Sequence, residues 1–153
     1  MKRFLLYLLL IIFIFAGFQV MWPGRFICQE ETVIADIQTI TKAEVIYSLT
    51  KGRGQFADLA ALAEAKMIDP TLASGEKNGY LFVVKVEAMT GRKAMYEVTA
   101  KPKNWNEMWS GSHSFYSNET IGPEVYETEG TEPPRGTVED RVPKAGLPIG
   151  VAR

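Results

Sequence analysis

The chain of 153 residues contains one cysteine and one histidine, and this scarcity excludes several classes of protein. A single cysteine, Cys28, cannot form an internal disulfide, so an exported domain would depend on its core or on neighbouring subunits. A single histidine, His113, excludes most zinc sites and most sites that use histidine as a base. The formal net charge of −1 excludes a strong general attraction to nucleic acid or anionic lipid.

Charge is also missing from a long segment near the N-terminus. Lys2 and Arg3 precede an uncharged, mostly apolar run of 19 residues at positions 4–22. As a helix, this run would be about 28 Å long, close to the roughly 30 Å hydrocarbon core of a bilayer. Residues 1–28 are therefore predicted to be a membrane anchor and its linker. The anchor residues are Phe4, Leu5, Leu6, Leu8, Ile11, Ile12, Phe13, Ile14, Phe15 and Trp22.

The positive residues also predict an orientation for this anchor. Because they precede the apolar run, we expect a single-pass inner-membrane protein with a cytoplasmic N-terminus and a periplasmic or extracellular C-terminal domain. The alternative is a removable secretory signal, whose apolar region is typically about 7–15 residues and is followed by small residues. The run here is longer, and large residues follow Gly17, which favours a retained anchor.

Residues 29–120 are predicted to form a single folded domain that begins with two helices. Apolar residues recur at intervals of three or four over positions 29–49, which predicts an amphipathic helix. These residues are Val33, Ile37, Ile40, Ala43 and Tyr47. A second, short helix is expected over positions 56–66, and it must end before Pro70, which restricts the residue preceding it.

Strands are predicted after these helices, and a tail after the strands. Alternating apolar residues over positions 80–88 and 94–100 predict an antiparallel hairpin, and positions 112–117 predict a third strand. Five of the eight prolines lie beyond residue 121, among glycines and glutamates. This composition predicts a disordered, flexible tail over residues 121–153.

Several short strings accompany this order of elements. They are AEVIY at 43–47, GRGQF at 52–56, LAAL at 59–62, IDP at 68–70, LASG at 72–75, GY at 79–80 and SFYS at 114–117. In their order and spacing they resemble type IV pilins and pseudopilins of the secretion-pathway type. The resemblance implies an α+β fold in which a transmembrane helix precedes an amphipathic helix packed on a small antiparallel sheet. It also implies the membrane, other pilin-like or secretion-system proteins and further copies of the chain as partners.

The N-terminus departs from the pattern of that family. The family has a leader ending in glycine, then a phenylalanine, with glutamate as the fifth residue of the mature chain. Here Gly17 precedes Phe18, but the fifth position is Trp22, and the apolar run lies before Gly17 instead of after it. The usual prepilin processing motif is therefore lacking.

An aromatic cluster is the main candidate for a binding site. Trp105, Trp109, Phe115 and Tyr116 either form a partner-binding surface or cover one end of the sheet. The lysines beside Trp105 are too few to predict nucleic-acid binding. His113 lies among serines, but neighbours along a strand point to opposite faces, so we predict no catalytic residue there.

These observations lead to one principal hypothesis and one alternative. The first is a non-catalytic, membrane-anchored subunit or accessory of a type IV pilus or type II secretion apparatus. The alternative is a membrane-tethered extracytoplasmic binding module that uses Trp105 and Trp109. Under both hypotheses the chain is not an enzyme, and we expect no cofactor and no metal.

Overall fold

The computed structural model describes residues 30–87, 94–105, 111–137 and 140–149. A long helix, α1, covers residues 30–50, and two short helices follow it, α2 (Leu59–Glu64) and α3 (Pro70–Ala73). The strands are β1 (Glu76–Lys77), β2 (Tyr80–Glu87), β3 (Met95–Pro102), β4 (His113–Asn118), β5 (Val125–Glu129) and β6 (Leu147–Ile149).

The strands form a six-stranded antiparallel sheet whose spatial order, β1 to β6, is the order along the chain. The longest pairing joins β2 and β3, from Tyr80 opposite Pro102 to Glu87 opposite Met95. Each strand pairs with the next one along the chain, so short connections are sufficient to build the sheet.

One hydrophobic core joins α1 to one face of the sheet. Val33, Ile37 and Ile40 of α1 have no exposed surface, and Ala43 is almost fully buried. Side chains at every second position of the strands complete the core. They include Tyr80, Phe82, Tyr96, Val98, Ala100, Phe115 and Val125. Burying each large apolar side chain contributes about 1.5–3 kcal/mol, which makes this contact the main source of stability.

The two short helices begin at aspartate caps. The Asp58 carboxylate accepts a hydrogen bond from the Ala61 amide at 2.8 Å, and the Asp69 carboxylate accepts one from the Leu72 amide at 2.9 Å. Each bond pairs an amide that has no partner within the helix. Proline follows Asp69 at the first helical position, where its missing N–H has no effect on the helix.

The predicted fold class is wrong for the part of the chain that the structure describes. The sheet is not small, because it has six strands, and residues 121–149 do not form a disordered tail where they are described. They contribute β5 and β6, with Val125 fully buried in the core. The composition of this region obscures one buried valine and two strands that are stabilised by pairing, β5 with β4 and β6 with β5.

The segment between β5 and β6 lies against the opposite face of the sheet. Phe115 faces α1, so the next residue, Tyr116, points to the opposite face of the sheet. There it has no exposed surface. Its hydroxyl accepts a hydrogen bond from Asn118 Nδ2 at 2.9 Å, and the same Nδ2 donates to the backbone oxygen of Arg141 at 2.7 Å. Long-range contacts of this kind, absent from any local pattern, order the proline-rich region.

The predicted transmembrane helix at residues 4–22 lies outside the described residues. Within the ranges that are described, no helix is long and apolar enough to cross a membrane.

Candidate functional site

The outer surface of α1 carries an apolar patch near the C-terminal end of the helix. Val45, Ile46 and Leu49 are 46%, 52% and 79% exposed. These three residues, here called the α1 apolar face, lie on the side of the helix opposite Val33 and Ile37, because the helix turns by about 100° per residue. Lys42, also exposed, lies on the same side.

This patch is unusual for a helix that already has a buried side. A surface helix of a globular protein normally has polar residues on the face turned away from the core. The outward positions nearer the N-terminus follow this rule, since Glu31 and Gln38 are located there. Contiguous exposed apolar residues are typical of interaction sites. The α1 apolar face is therefore the strongest candidate for a contact surface among the described residues.

The structure separates the aromatic residues that the sequence suggested as a binding cluster. Trp105 is 49% exposed in the loop after β3, and Trp109 lies outside the described residues. Phe115 is fully buried on the face toward α1, with its ring centroid 5.9 Å from that of Tyr80. Tyr116 is fully buried on the opposite face. Of the described members, only Trp105 presents its ring to solvent.

A histidine, a serine and a glutamate meet where α1 approaches β4. His113 Nδ1 lies 3.1 Å from Glu30 Oε1 and 3.0 Å from Ser112 Oγ. In a catalytic triad the acid and the nucleophile contact different nitrogens of the imidazole. Here both contact Nδ1, so the ring cannot accept a proton from serine at one nitrogen while the acid orients the other.

The bonds of this group join secondary-structure elements instead. Glu30 Oε1 also accepts a hydrogen bond from the Ser112 amide at 2.9 Å, which joins α1 to the start of β4. The Tyr80 hydroxyl donates to the His113 carbonyl at 3.1 Å, which joins β2 to the same point. Gly111 precedes this corner, and a Cβ atom there would collide with the Tyr80 hydroxyl. The arrangement has the features of a structural junction.

A buried carboxyl group, Glu44, faces the core from α1. It has no exposed surface, and its Oε2 accepts a hydrogen bond from the Ala57 amide at 2.9 Å. Burial raises the pKa of Glu44 from 4.5 to about 7, although the Ala57 bond acts in the opposite direction. Its Oε1 has no hydrogen-bond partner among the described residues. Glu44 therefore connects α1 to the loop before α2 and changes its charge near neutral pH.

The aromatic residues near Glu44 belong to the same region of the core. The rings of Phe56 and Tyr96 pack edge to face, with centroids 4.6 Å apart. Burial raises the pKa of the Tyr96 hydroxyl above its usual range, and the nearby Glu44 carboxylate acts in the same direction. The hydroxyl therefore stays protonated, and these rings hold the loop that Glu44 also binds.

The anchor residues between Phe4 and Trp22 lie outside the described ranges, as does Cys28. Among the residues that are described, no group of three or more histidine, cysteine, aspartate or glutamate side chains is arranged to hold a metal ion.

Neither Glu44 nor the α1 apolar face was predicted from the sequence as a site. The spacing of Val45 and Leu49, four residues apart and out of phase with the buried stripe, is the signal that identifies the face. Glu44 lies four residues after Ile40 and seven after Ile37, on the buried side of α1, and this spacing is the signal that identifies it. The group that binds its carboxylate depends on the loop that closes over it.

Comparisons with known proteins give no relative of this chain. No family model, no curated protein and no solved structure matches it.

Proposed function

We propose that this chain is a non-catalytic, membrane-anchored subunit or accessory of a multi-protein assembly, of the type IV pilus or type II secretion kind. The α1 apolar face is the single observation that carries the proposal. A helix that buries one side in its own domain and exposes Val45, Ile46 and Leu49 on the other is suited to contact with a neighbouring subunit.

Two features of the sequence support the membrane and secretion parts of this proposal. The uncharged run at positions 4–22 is long enough to anchor the chain in a bilayer. The short strings between positions 43 and 117 resemble, in their order and spacing, those of secretion-pathway pilin-like proteins. These strings support the kind of assembly that is proposed, and the α1 apolar face is the proposed contact surface.

The bonds of the polar clusters support a non-catalytic role. Glu30, Ser112 and His113 join α1 to β4, and the acid and the serine hydroxyl share one ring nitrogen. Glu44 is enclosed and binds a backbone amide. In each cluster the polar groups connect elements of the fold, and neither has the geometry of an activated nucleophile.

The test compares two leucine substitutions in the full-length chain, expressed in its native host. Leu49→Ser alters the α1 apolar face, and Leu147→Ser alters an exposed leucine on β6 as a matched control. Chemical cross-linking in intact membranes, followed by mass spectrometry, measures association with secretion or pilus components. We expect Leu49→Ser to reduce those cross-links at least several-fold and Leu147→Ser to leave them unchanged.

Two results would contradict the proposal. One is an unchanged cross-linking pattern for Leu49→Ser when the protein remains folded and in the membrane. The other is a deletion strain in which pilus function and protein secretion are both unaltered.

The exposure of Trp105 favours one alternative, a membrane-tethered binding module that is unrelated to filaments. Aromatic residues with an accessible ring are frequent in binding sites. Trp105→Ala combined with Trp109→Ala would abolish binding of a pulled-down partner while circular dichroism stays unchanged. Loss of folding in the double variant would contradict this alternative, because it would show that the tryptophans serve the core.

A further inference from the structure

Three exposed cations, here called the flanking cations, lie at the two ends of the α1 apolar face. Lys42 comes three residues before Val45, one turn earlier on the same side of the helix. Lys51 and Arg53 lie where the helix ends, just beyond the apolar face. The Lys51 amide still donates to the Tyr47 carbonyl at 2.9 Å, so Lys51 continues the last helical turn. Positive charge therefore borders the apolar residues on both sides.

The flanking cations have no electrostatic partner within the fold. Among the described residues, none of the three forms an ion pair. Other cations of this domain do bind carboxylates, since Lys77 Nζ lies 2.7 Å from Asp36 and Lys103 Nζ lies 2.6 Å from Glu76. The charges around the α1 apolar face are therefore available to a neighbouring molecule.

The helix dipole accounts for only part of this charge. It favours cations at the end where Lys51 and Arg53 lie, and its effect falls off beyond the last turn. Lys42 is about two turns away from that end. Negative charge on the outward side of α1 lies at Glu31, eleven residues before Lys42, and Glu44 is enclosed on the other side. The surface around the α1 apolar face is therefore positive, although the whole chain has a net charge of −1.

We propose that the neighbouring subunit contacts the α1 apolar face with an acidic and apolar surface, in which a carboxylate lies at each end of an apolar strip. This inference rests on the assembly role proposed above and adds the chemistry of the partner. Lys42 and Lys51 are separated by about 14 Å along the helix axis, so the two carboxylates should have a similar separation. Apolar side chains between them pack on Val45, Ile46 and Leu49, and the charges determine the register of the contact.

An anionic bilayer surface is also apolar and negative, but the observations favour a protein. Helices that lie in a bilayer surface commonly place large aromatic residues on their apolar side, and the α1 apolar face has none. The orientation predicted for the anchor also places the domain away from the cytoplasmic leaflet, which carries the negative surface potential. Contact with lipid is therefore an outcome that the test must separate from contact with a subunit.

The test uses the full-length chain in its native host, with a photoreactive amino acid in place of Thr39. This residue is exposed on the outward side of α1, one turn before the apolar face. The probe reacts with its nearest neighbour irrespective of charge, so substitution of a lysine does not alter the chemistry of cross-linking. Mass spectrometry then identifies the cross-linked peptide. We expect a peptide in which aspartate or glutamate flanks apolar residues, and a yield that falls as salt is added to isolated membranes.

Charge reversal tests the role of the flanking cations directly. Lys42→Glu combined with Lys51→Glu should reduce the cross-linking yield about ten-fold, because two attractions are replaced by two repulsions. Lys101→Glu, at an exposed position of β3, is the matched control and should leave the yield unchanged. Replacing the nearest carboxylates of the cross-linked subunit with lysine should restore the yield for the double variant. A double variant that had lost its fold would not be rescued in this way.

The results that would overturn the proposal are distinct from those that would overturn the assembly role. A yield that Leu49→Ser reduces and the double charge variant does not would exclude an acidic partner and leave the assembly role intact. A cross-linked peptide without acidic residues would have the same meaning. Cross-links to lipid alone would assign the α1 apolar face to the bilayer. A yield that neither variant changes would overturn both proposals.

Discussion

Arg141 and Glu119 together provide hydrogen-bond partners for the backbone of Tyr96, beyond the point where β4 ends. Arg141 Nε and Nη2 donate to the two Glu119 oxygens at 3.0 and 2.9 Å. The same Nη2 donates to the Tyr96 carbonyl at 2.9 Å, while Glu119 Oε2 accepts from the Tyr96 amide at 3.1 Å. The two side chains therefore bind the backbone groups of Tyr96 that a further residue of β4 would otherwise pair. Their ion pair also holds the segment between β5 and β6 against the sheet.

Removing Arg141 should destabilise the fold substantially. Arg141→Ala leaves Glu119, whose side chain is only 8% exposed, and Glu97 without their cationic partner. Breaking a buried ion pair from one side costs about 3–5 kcal/mol, so we expect a loss of about 3 kcal/mol in the free energy of unfolding. Urea denaturation followed by circular dichroism measures this value. Proteolysis should also become faster between residues 130 and 146.

The matched control for Arg141 is Lys144, on the same segment. Its amine lies 3.8 Å from Asp140 and its side chain is 83% exposed. Lys144→Ala should change the free energy of unfolding by less than about 0.5 kcal/mol, because exposed ion pairs contribute little. Equal losses in the two variants would contradict the structural role given to Arg141.

Glu44 should make the stability of the fold depend on pH. Burial raises its pKa from 4.5 to about 7. Between pH 4.5 and about pH 7, the folded chain therefore keeps a proton on Glu44 that the unfolded chain has released. The stabilisation is complete below the unfolded pKa and is lost as the pH rises through the folded pKa. We expect the free energy of unfolding to fall by about 2–3 kcal/mol across this range.

Glu44→Gln is the variant that tests this dependence, since the amide cannot ionise. Unfolding by urea at about pH 5 and about pH 8 should give a smaller difference for Glu44→Gln than for the unchanged chain. Glu64→Gln, on the exposed side of α2, is the control and should keep the full difference. A pH dependence that persists unchanged in Glu44→Gln would assign it to other groups.

Gly111 should be intolerant of a side chain because of its distance to Tyr80. Gly111→Ala places a methyl group against the Tyr80 hydroxyl and close to the Glu30 carboxylate. Overpacking of this kind costs about 1–3 kcal/mol, measurable by thermal unfolding. Adding Tyr80→Phe removes the closest atom, so the double variant should recover part of the lost stability. Purely additive losses would show that the two residues do not interact.

The aromatic residues near the end of the sheet should differ sharply in their effect on stability. Phe115→Ala removes a fully buried ring and should cost about 3–5 kcal/mol. Trp105→Ala alters a half-exposed side chain and should cost less than about 1 kcal/mol. Chemical denaturation of both variants provides the comparison. A larger loss for Trp105 would place its ring in the core.

Several elements follow directly from local patterns in the chain. The three-and-four spacing of Val33, Ile37 and Ile40 determines which side of α1 is buried, because it places them on one side of the helix. Alternation over Tyr80, Phe82 and Val84 likewise determines the inner face of β2. Aspartate is a residue type favoured at helix N-termini, but the predicted second helix begins at residue 56, before the Asp58 cap, and α3 was not predicted.

The arrangement of the C-terminal region was decided by tertiary structure. Arg141 binds Glu119 from 22 residues away, and Gln38 of α1 donates to the Pro123 carbonyl from 85 residues away. A local pattern reports the chemistry of neighbouring side chains, and it contains no information about a partner that distant. Composition alone therefore predicted disorder where such contacts order β5 and β6.

The same distinction applies to two features of α1, its apolar face and Glu44. The sequence determined that Val45, Ile46 and Leu49 lie apart from the buried stripe, since helical geometry sets the angle between residues. Only the tertiary structure decided that this side stays exposed and that the loop before α2 closes over Glu44, which helical geometry already places on the buried side. Exposure depends on where the sheet and the loop before α2 lie, and these elements cover one side of α1 and leave the other open.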